Sequence, residues 1–248
     1  MPDTREGGDY PVVANRFGRS APDGARPIGE DGDYAVVVDQ IGRSTPDGRI
    51  GRLHVLVDSV ALADAALAGG APTLQVRVKS GTDRERFTVV AEVAARCRSA
   101  GAQCIVDDRA DMAVASEADG VHVGARDLPI DAVRRVVGRN LIVGATARDS
   151  DTARRLVSSG ADYLGVGPTY ATQSKDGLPS PLGPEGVGWV AGEVSVPVIA
   201  IAGITVERVP EVLAAGAWGV AVIGAVARAA DPVGATRELV DVVSGVVA

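Results

Sequence analysis

Four short stretches of the chain carry side chains suited to holding a phosphorylated ligand. The longest is GVGPTYATQSKDG, residues 165–177. It offers the hydroxyls of Thr169, Thr172 and Ser174, the ammonium of Lys175, and glycines at 165, 167 and 177 where backbone can approach a bound group. A second, LQVRVK, sets Gln75, Arg77 and Lys79 at alternate positions. In an extended segment these three share one face, while Val76 and Val78 take the other. The third holds Asp107 and Asp108 side by side ahead of Arg109, and the fourth, GVHVGARDLP, holds Asp127. Two carboxylates facing cations and hydroxyls suit a Mg²⁺ ion that completes its shell with ligand phosphate oxygens. Each stretch also has a plainer reading. Gly, Ser, Thr and Lys are common in solvated connections, an interior Arg and Lys can be structural ion pairs, one Asp of the pair can cap a helix, and the lone His122 fits a satisfied core position. What decides between the readings is where the fold puts the four stretches.

The elements that would position them repeat along the chain. From Arg52 onward, β-branched runs (LHVLVD, PTLQVRV, QCIVD, GVHVG, LIVGAT, DYLGVG, VPVIAIAG, WGVAVIG) alternate with Ala-rich amphipathic stretches, predicting eight strands and their helices. Several helices close on AGGA, SAGA, SSGAD or AAGAW, where a left-handed glycine can stop the helix. Such alternation implies parallel βαβ units. Eight of them within residues 52–248 predict an α/β fold of the (β/α)8 TIM barrel type. A doubly wound open sheet fits less well, because DSVALAD rather than a Gly-rich dinucleotide fingerprint follows the first strand. In a barrel the chemistry lies at the carboxyl ends of the strands, and all four stretches fall there. Thr146 ends the fifth strand, Gly203 lies in IAGI after the seventh, and Ile223 and Gly224 follow the eighth. The ends of strands seven and eight form the usual phosphate site of such barrels.

The rest of the chain narrows the function classes. Residues 1–51 form an extension with an internal duplication, GDYPVVANRFGRSAPDG at 8–24 echoed by GDYAVVVDQIGRSTPDG at 32–48. Two copies are too few to build a stacked core, so the extension is expected to be mobile or laid on the barrel. A net charge of −7 argues against nucleic-acid binding. No apolar run reaches the length of a membrane span, and the acidic start is not a secretory signal, so a cytoplasmic location is expected. Cys97 and Cys104 read as small buried hydrophobes.

With these residues in view, the series LQVRVK, DDRADMA, GVHVGARDLP, VGAT, GVGPTYATQSK, VPVIAIAGI and AVIGA resembles the thiamine-phosphate synthases, over about residues 52–230 and within the superfamily that includes the TenI-type thiazole tautomerases. The resemblance implies a transferase that joins 4-amino-2-methyl-5-hydroxymethylpyrimidine diphosphate to a thiazole phosphate, with diphosphate leaving first. It implies that Arg77, Lys79 and Lys175 bind the diphosphate with Thr146 donating to it, that Asp108 and Asp127 hold Mg²⁺, and that Gln75, Thr172 and Ser174 lie near the organic rings. The backbone at Gly203, Ile223 and Gly224 would take the thiazole phosphate. Five positions depart from the family pattern: Val78 for Glu, Asp107 for Asn, Ala125 for Gln, Ala202 for Gly and Gly224 for Ser. Asp107 would lie among the substrate-binding residues and add a negative charge beside the diphosphate, to be offset by Mg²⁺ or by pairing with Arg109 or Arg126. A tautomerase would carry His where this chain has Arg148. The alternatives are a tautomerase-like enzyme of the same superfamily and a non-catalytic barrel that binds phosphorylated metabolites; self-association is left open.

Overall fold

Alternation along each strand decides which side chains line the interior of the structure and which meet the helices. The computed structural model describes residues 50–172, 177 and 179–245. Its elements run β1 Leu53–Val57, α1 Val60–Ala68, β2 Thr73–Val76, α2 Asp83–Ala100, β3 Gln103–Asp107, α3 Ala110–Ala115, β4 Gly120–Val123 and α4 Ile130–Val137. They continue with β5 Ile142–Ala147, α5 Ser150–Ser158, β6 Tyr163–Val166, α6 Gly183–Gly192, β7 Val198–Ile201, α7 Val209–Ala214, β8 Gly219–Val222, α8 Gly224–Ala227 and α9 Pro232–Val243. The eight strands pair in sequence order, all parallel, and β8 closes on β1. The expected (β/α)8 barrel is therefore the fold. No described helix is long and apolar enough to cross a membrane.

Odd and even positions separate two apolar layers. Val55, Leu74, Val106, Val121, Val143, Leu164, Val198 and Val220 point outward into the large layer under the helices, which also takes the free cysteines Cys97 and Cys104. Leu56, Ile105, Ile142, Tyr163, Ile199 and Ala221 fill the barrel itself, with Ile50 beneath them. The same inward rows continue upward into polar residues, because period two carries Ile105 to Asp107 and Ile142 through Gly144 to Thr146. Register aligns these ends, setting Asp107 against His122 and Thr146 against Gly165.

Helix ends are encoded locally. Ser59, Asp149 and Asp231 cap α1, α5 and α9, and α2 opens on a full capping box between Thr82 and Glu85. The small-residue stops behave as expected: Gly101, at φ 71°, ends α2, and the corresponding glycines of the other three stops are also at positive φ.

Candidate functional site

Beyond Val76 the chain leaves β2 through Arg77, Val78 and Lys79, while β3 delivers Asp107 as its last residue. The Asp107 side chain is 8% exposed, and both its oxygens are engaged. Oδ1 accepts from Nε2 of Gln75 at 2.8 Å. Oδ2 faces Nε of Arg77 at 3.3 Å and Nζ of Lys79 at 3.0 Å. A buried carboxylate is costly unless paired, and Gln75, Arg77 and Lys79 supply that pairing at the barrel mouth. Val78 packs on the outer apolar layer, as its alternate position requires. The expected offset by Arg109 does not occur. Arg109 turns outward to Asp83 at 2.7 Å and Asp111 at 2.6 Å, because those two carboxylates flank it on the α2 and α3 side. Asp107 is balanced instead by the two cations expected to meet the ligand.

Asp108 takes φ 64°, a left-handed conformation that Asp tolerates better than most residues, and its N–H donates to the carbonyl of His122 at 2.8 Å. There it accepts from Lys79 and adjoins the Asp127 carboxyl. Asp127 is held by the N–H of Gly124 at 2.8 Å. The pKa values of the two carboxyls move in opposite directions. Burial raises Asp108, but Lys79, the Asp127 carboxyl and Arg77 outweigh it and bring its pKa below the usual carboxylate value. Burial also raises Asp127, and the neighbouring Asp108 raises it further against the pull of Gly124 and Lys79. Lys79 is raised: burial works against its charge, and its contacts to Asp108 and Asp107 prevail. Two adjoining carboxyls of this kind are a donor set for a hard divalent cation. Among the described residues no group of three or more His, Cys, Asp or Glu is placed to hold a metal alone.

Thr146 stands at the end of β5 with its hydroxyl 3.0 Å from Nε2 of His122. His122 is buried and also meets the Tyr163 hydroxyl through Nδ1 at 3.0 Å, so it is a satisfied interior residue, as its solitary position suggested. Burial lowers its pKa despite the charges of Asp107 and Asp108. Thr169 departs from expectation. It is fully buried, and its hydroxyl donates to the Ile201 carbonyl at 3.0 Å, so it ties β6 to β7 instead of offering a donor to a ligand. Gly203, at φ 68°, follows β7 next to Ala202 at φ 80°. A Cβ on Gly203 would press on Tyr170 and on the Ala171 carbonyl, and Arg208 donates to the Gly203 carbonyl at 2.6 Å. Ile223 precedes α8 and Gly224 begins it. Thr172 is half-buried beyond β6, while Ser174 and Lys175 lie outside the described residues.

The barrel mouth thus gathers Gln75, Arg77, Lys79, Asp107, Asp108, Asp127, Thr146 and His122 on neighbouring strand ends. One participant carried no motif in the sequence, and a second was marked there only as a departure from the tautomerase pattern. Tyr163 reads as an apolar strand residue until register places its hydroxyl under His122. Arg148 donates to the Ser180 carbonyl at 2.9 Å, which pins the return of the β6 loop to the end of β5.

Residues 52–226 match the family described as thiamine monophosphate synthase. A thiamine-phosphate synthase of Salinispora arenicola is 48% identical over 201 residues, covering 77% of this chain and 97% of that protein. One from Salinibacter ruber is 43% identical over 205 residues, covering 79% and 90%. Among solved structures, a thiamine phosphate pyrophosphorylase from Pyrococcus furiosus superposes with a TM-score of 0.73 at 36% identity, covering 79% of this chain and 97% of that one. A 3-hexulose-6-phosphate synthase shares the fold with a TM-score of 0.58 at 24% identity. The chain belongs to the thiamine monophosphate synthase family.

Proposed function

We propose that this protein is a thiamine-phosphate synthase, which joins 4-amino-2-methyl-5-hydroxymethylpyrimidine diphosphate to a thiazole phosphate. The bond between the pyrimidinylmethyl carbon and the diphosphate oxygen breaks, and a bond from that carbon to the thiazole nitrogen forms. No proton has to be removed, so no general base is required. The observation that carries the reading is the adjoining Asp108 and Asp127 pair beside Arg77 and Lys79 at the carboxyl ends of β2 to β4.

In this assignment Arg77 and Lys79 bind the diphosphate and stabilise the charge that grows on it as the carbon–oxygen bond lengthens. Thr146 donates a hydrogen bond to the same group, and Lys175 adds a third cation from the loop after β6. Asp108 and Asp127 would hold Mg²⁺, which neutralises diphosphate charge when bound. Gln75, fixed by Asp107, presents its amide toward the pyrimidine, with Thr172 and Ser174 near the rings. The backbone at Gly203, Ile223 and Gly224 receives the thiazole phosphate, as barrel phosphate sites do. Direct titration calorimetry with inorganic diphosphate tests the site. Binding should require Mg²⁺ and weaken by about tenfold or more in Asp108→Asn and Asp127→Asn, since one lost charge-assisted contact exceeds about 1.4 kcal/mol. Diphosphate binding indifferent to Mg²⁺ and to both substitutions would remove the basis of the reading.

A further inference from the structure

Two interior glycines mark a pair of buried rings that the proposed chemistry does not use. A Cβ on Gly165 would sit 3.0 Å from Cε1 of His122, and one on Gly144 would fall on the phenol end of Tyr163. The barrel has been emptied of side chains at both points to admit these rings, and the two hydrogen-bond each other. They form a column under the site: the ring of His54 packs against Tyr163 at 5.2 Å between centroids, Tyr163 meets Nδ1 of His122, and Nε2 of His122 meets Thr146.

We propose that Tyr163 and His122 are positioning residues that fix Thr146 as a hydrogen-bond donor to the diphosphate. The inference rests on the assignment of Thr146 made above. Among the described residues, the Tyr163 hydroxyl has one hydrogen-bond partner, Nδ1 of His122. Its proton must therefore go there, because a buried hydroxyl hydrogen with no acceptor is costly. Burial, and to a lesser degree the charge of Asp107, raise the Tyr163 pKa and keep that proton in place. With Nδ1 accepting, the ring proton of His122 resides on Nε2 and is donated to Thr146 Oγ1. A hydroxyl that accepts from below has its own hydrogen free to donate upward, toward the mouth. The opposite tautomer would make Thr146 donate to the ring and present only lone pairs to an anionic ligand, which would be repulsive. Reversal of the column therefore converts a binding contact into an opposing one.

The full chain contains only two histidines, His54 and His122, so ¹⁵N-histidine labelling gives a spectrum of two rings. His54 is fixed independently, because its Nε2 lies 3.2 Å from the Gly51 carbonyl, which can only accept. Both rings are expected as the Nε2–H form. Any ring found as the Nδ1–H form is then His122, and overturns the proposal. Calorimetry with inorganic diphosphate and Mg²⁺ supplies the second arm. Tyr163→Phe should release the Nδ1–H form of His122 and weaken diphosphate about tenfold, with the affinity for thiazole phosphate unchanged. In a Thr146→Val background the same substitution should have little further effect. Equal weakening of both ligands, or an undiminished Tyr163→Phe effect in the Thr146→Val background, would show a general packing role and refute the column. If the wild-type protein binds no diphosphate, the assignment of Thr146 fails with the synthase reading, and the tautomer separately decides whether the column is oriented as described.

Discussion

Asp107 concentrates the tension in this site, since it occupies the cations that a diphosphate would need. It holds Arg77 and Lys79 at 3.3 and 3.0 Å, while Gln75 secures its other oxygen. Asp107→Asn preserves an acceptor for Gln75 and releases both cations. It should therefore tighten inorganic diphosphate in the presence of Mg²⁺ by about tenfold, or about 1.4 kcal/mol. Calorimetric titration of the two forms checks this, and weaker binding in the Asn variant would instead make Asp107 a metal ligand. Ala202 is a second departure with a physical cost. At φ 80° its Cβ crowds the following carbonyl, a strain of about 1–2 kcal/mol for an alanine. Ala202→Gly relieves it but loses about 0.4–1 kcal/mol through the freer unfolded chain. The net gain of about 0.5–1 kcal/mol should raise Tm by about 2 °C. A lower Tm would show that the methyl contributes packing that outweighs the strain. Both departures were visible as residues; only the backbone angle and the ion pairs show what each one does.

At the scale of elements, the end of the barrel opposite the site is clamped by one side chain. Arg134 of α4 donates to the carbonyls of Gly160 at 2.7 Å and Leu141 at 2.8 Å, and pairs with Asp162 at 2.5 Å. It thereby binds α4 to the starts of β5 and β6. Several bonds from a half-buried charge make Arg134→Ala a loss of about 2–3 kcal/mol. Thermal unfolding should show a drop of several degrees, with diphosphate affinity unchanged because the clamp faces away from the mouth. This clamp was not legible beforehand, since an arginine on an amphipathic helix looks like any solvated charge. The strands were legible for a definite reason. Val and Leu at one parity and Gln75, Asp107 or Thr146 at the other can satisfy both layers only in a barrel with a polar mouth. Thr169 failed as an expected donor because hydroxyl type and loop position cannot reveal a carbonyl, here that of Ile201, waiting across a neighbouring strand. Tyr163 escaped notice for the converse reason: its strand looked apolar, and only register placed its hydroxyl under His122.

For the whole molecule, the barrel's lower boundary lies slightly ahead of its first strand. Ile50 is 6% exposed within the interior apolar cluster, its carbonyl accepts from Nε1 of Trp218 at 3.1 Å, and the Gly51 N–H donates to Gln103 at 3.3 Å. Deleting residues 1–49 should leave a cooperatively folded barrel. Deleting residues 1–51 should cost a further 2–3 kcal/mol or so from the lost isoleucine and its hydrogen bonds. Circular dichroism melting of the two truncations distinguishes them, and an aggregated 50–248 protein would show that the duplicated segment covers an apolar face. The account as a whole stands on one reaction. Full-length protein incubated with the pyrimidine diphosphate, the thiazole phosphate and Mg²⁺ should yield thiamine phosphate and diphosphate in equal amounts by mass spectrometry, with the yield abolished when Mg²⁺ is chelated. A folded protein that consumes neither substrate, under conditions where a synthase relative turns both over, would contradict it.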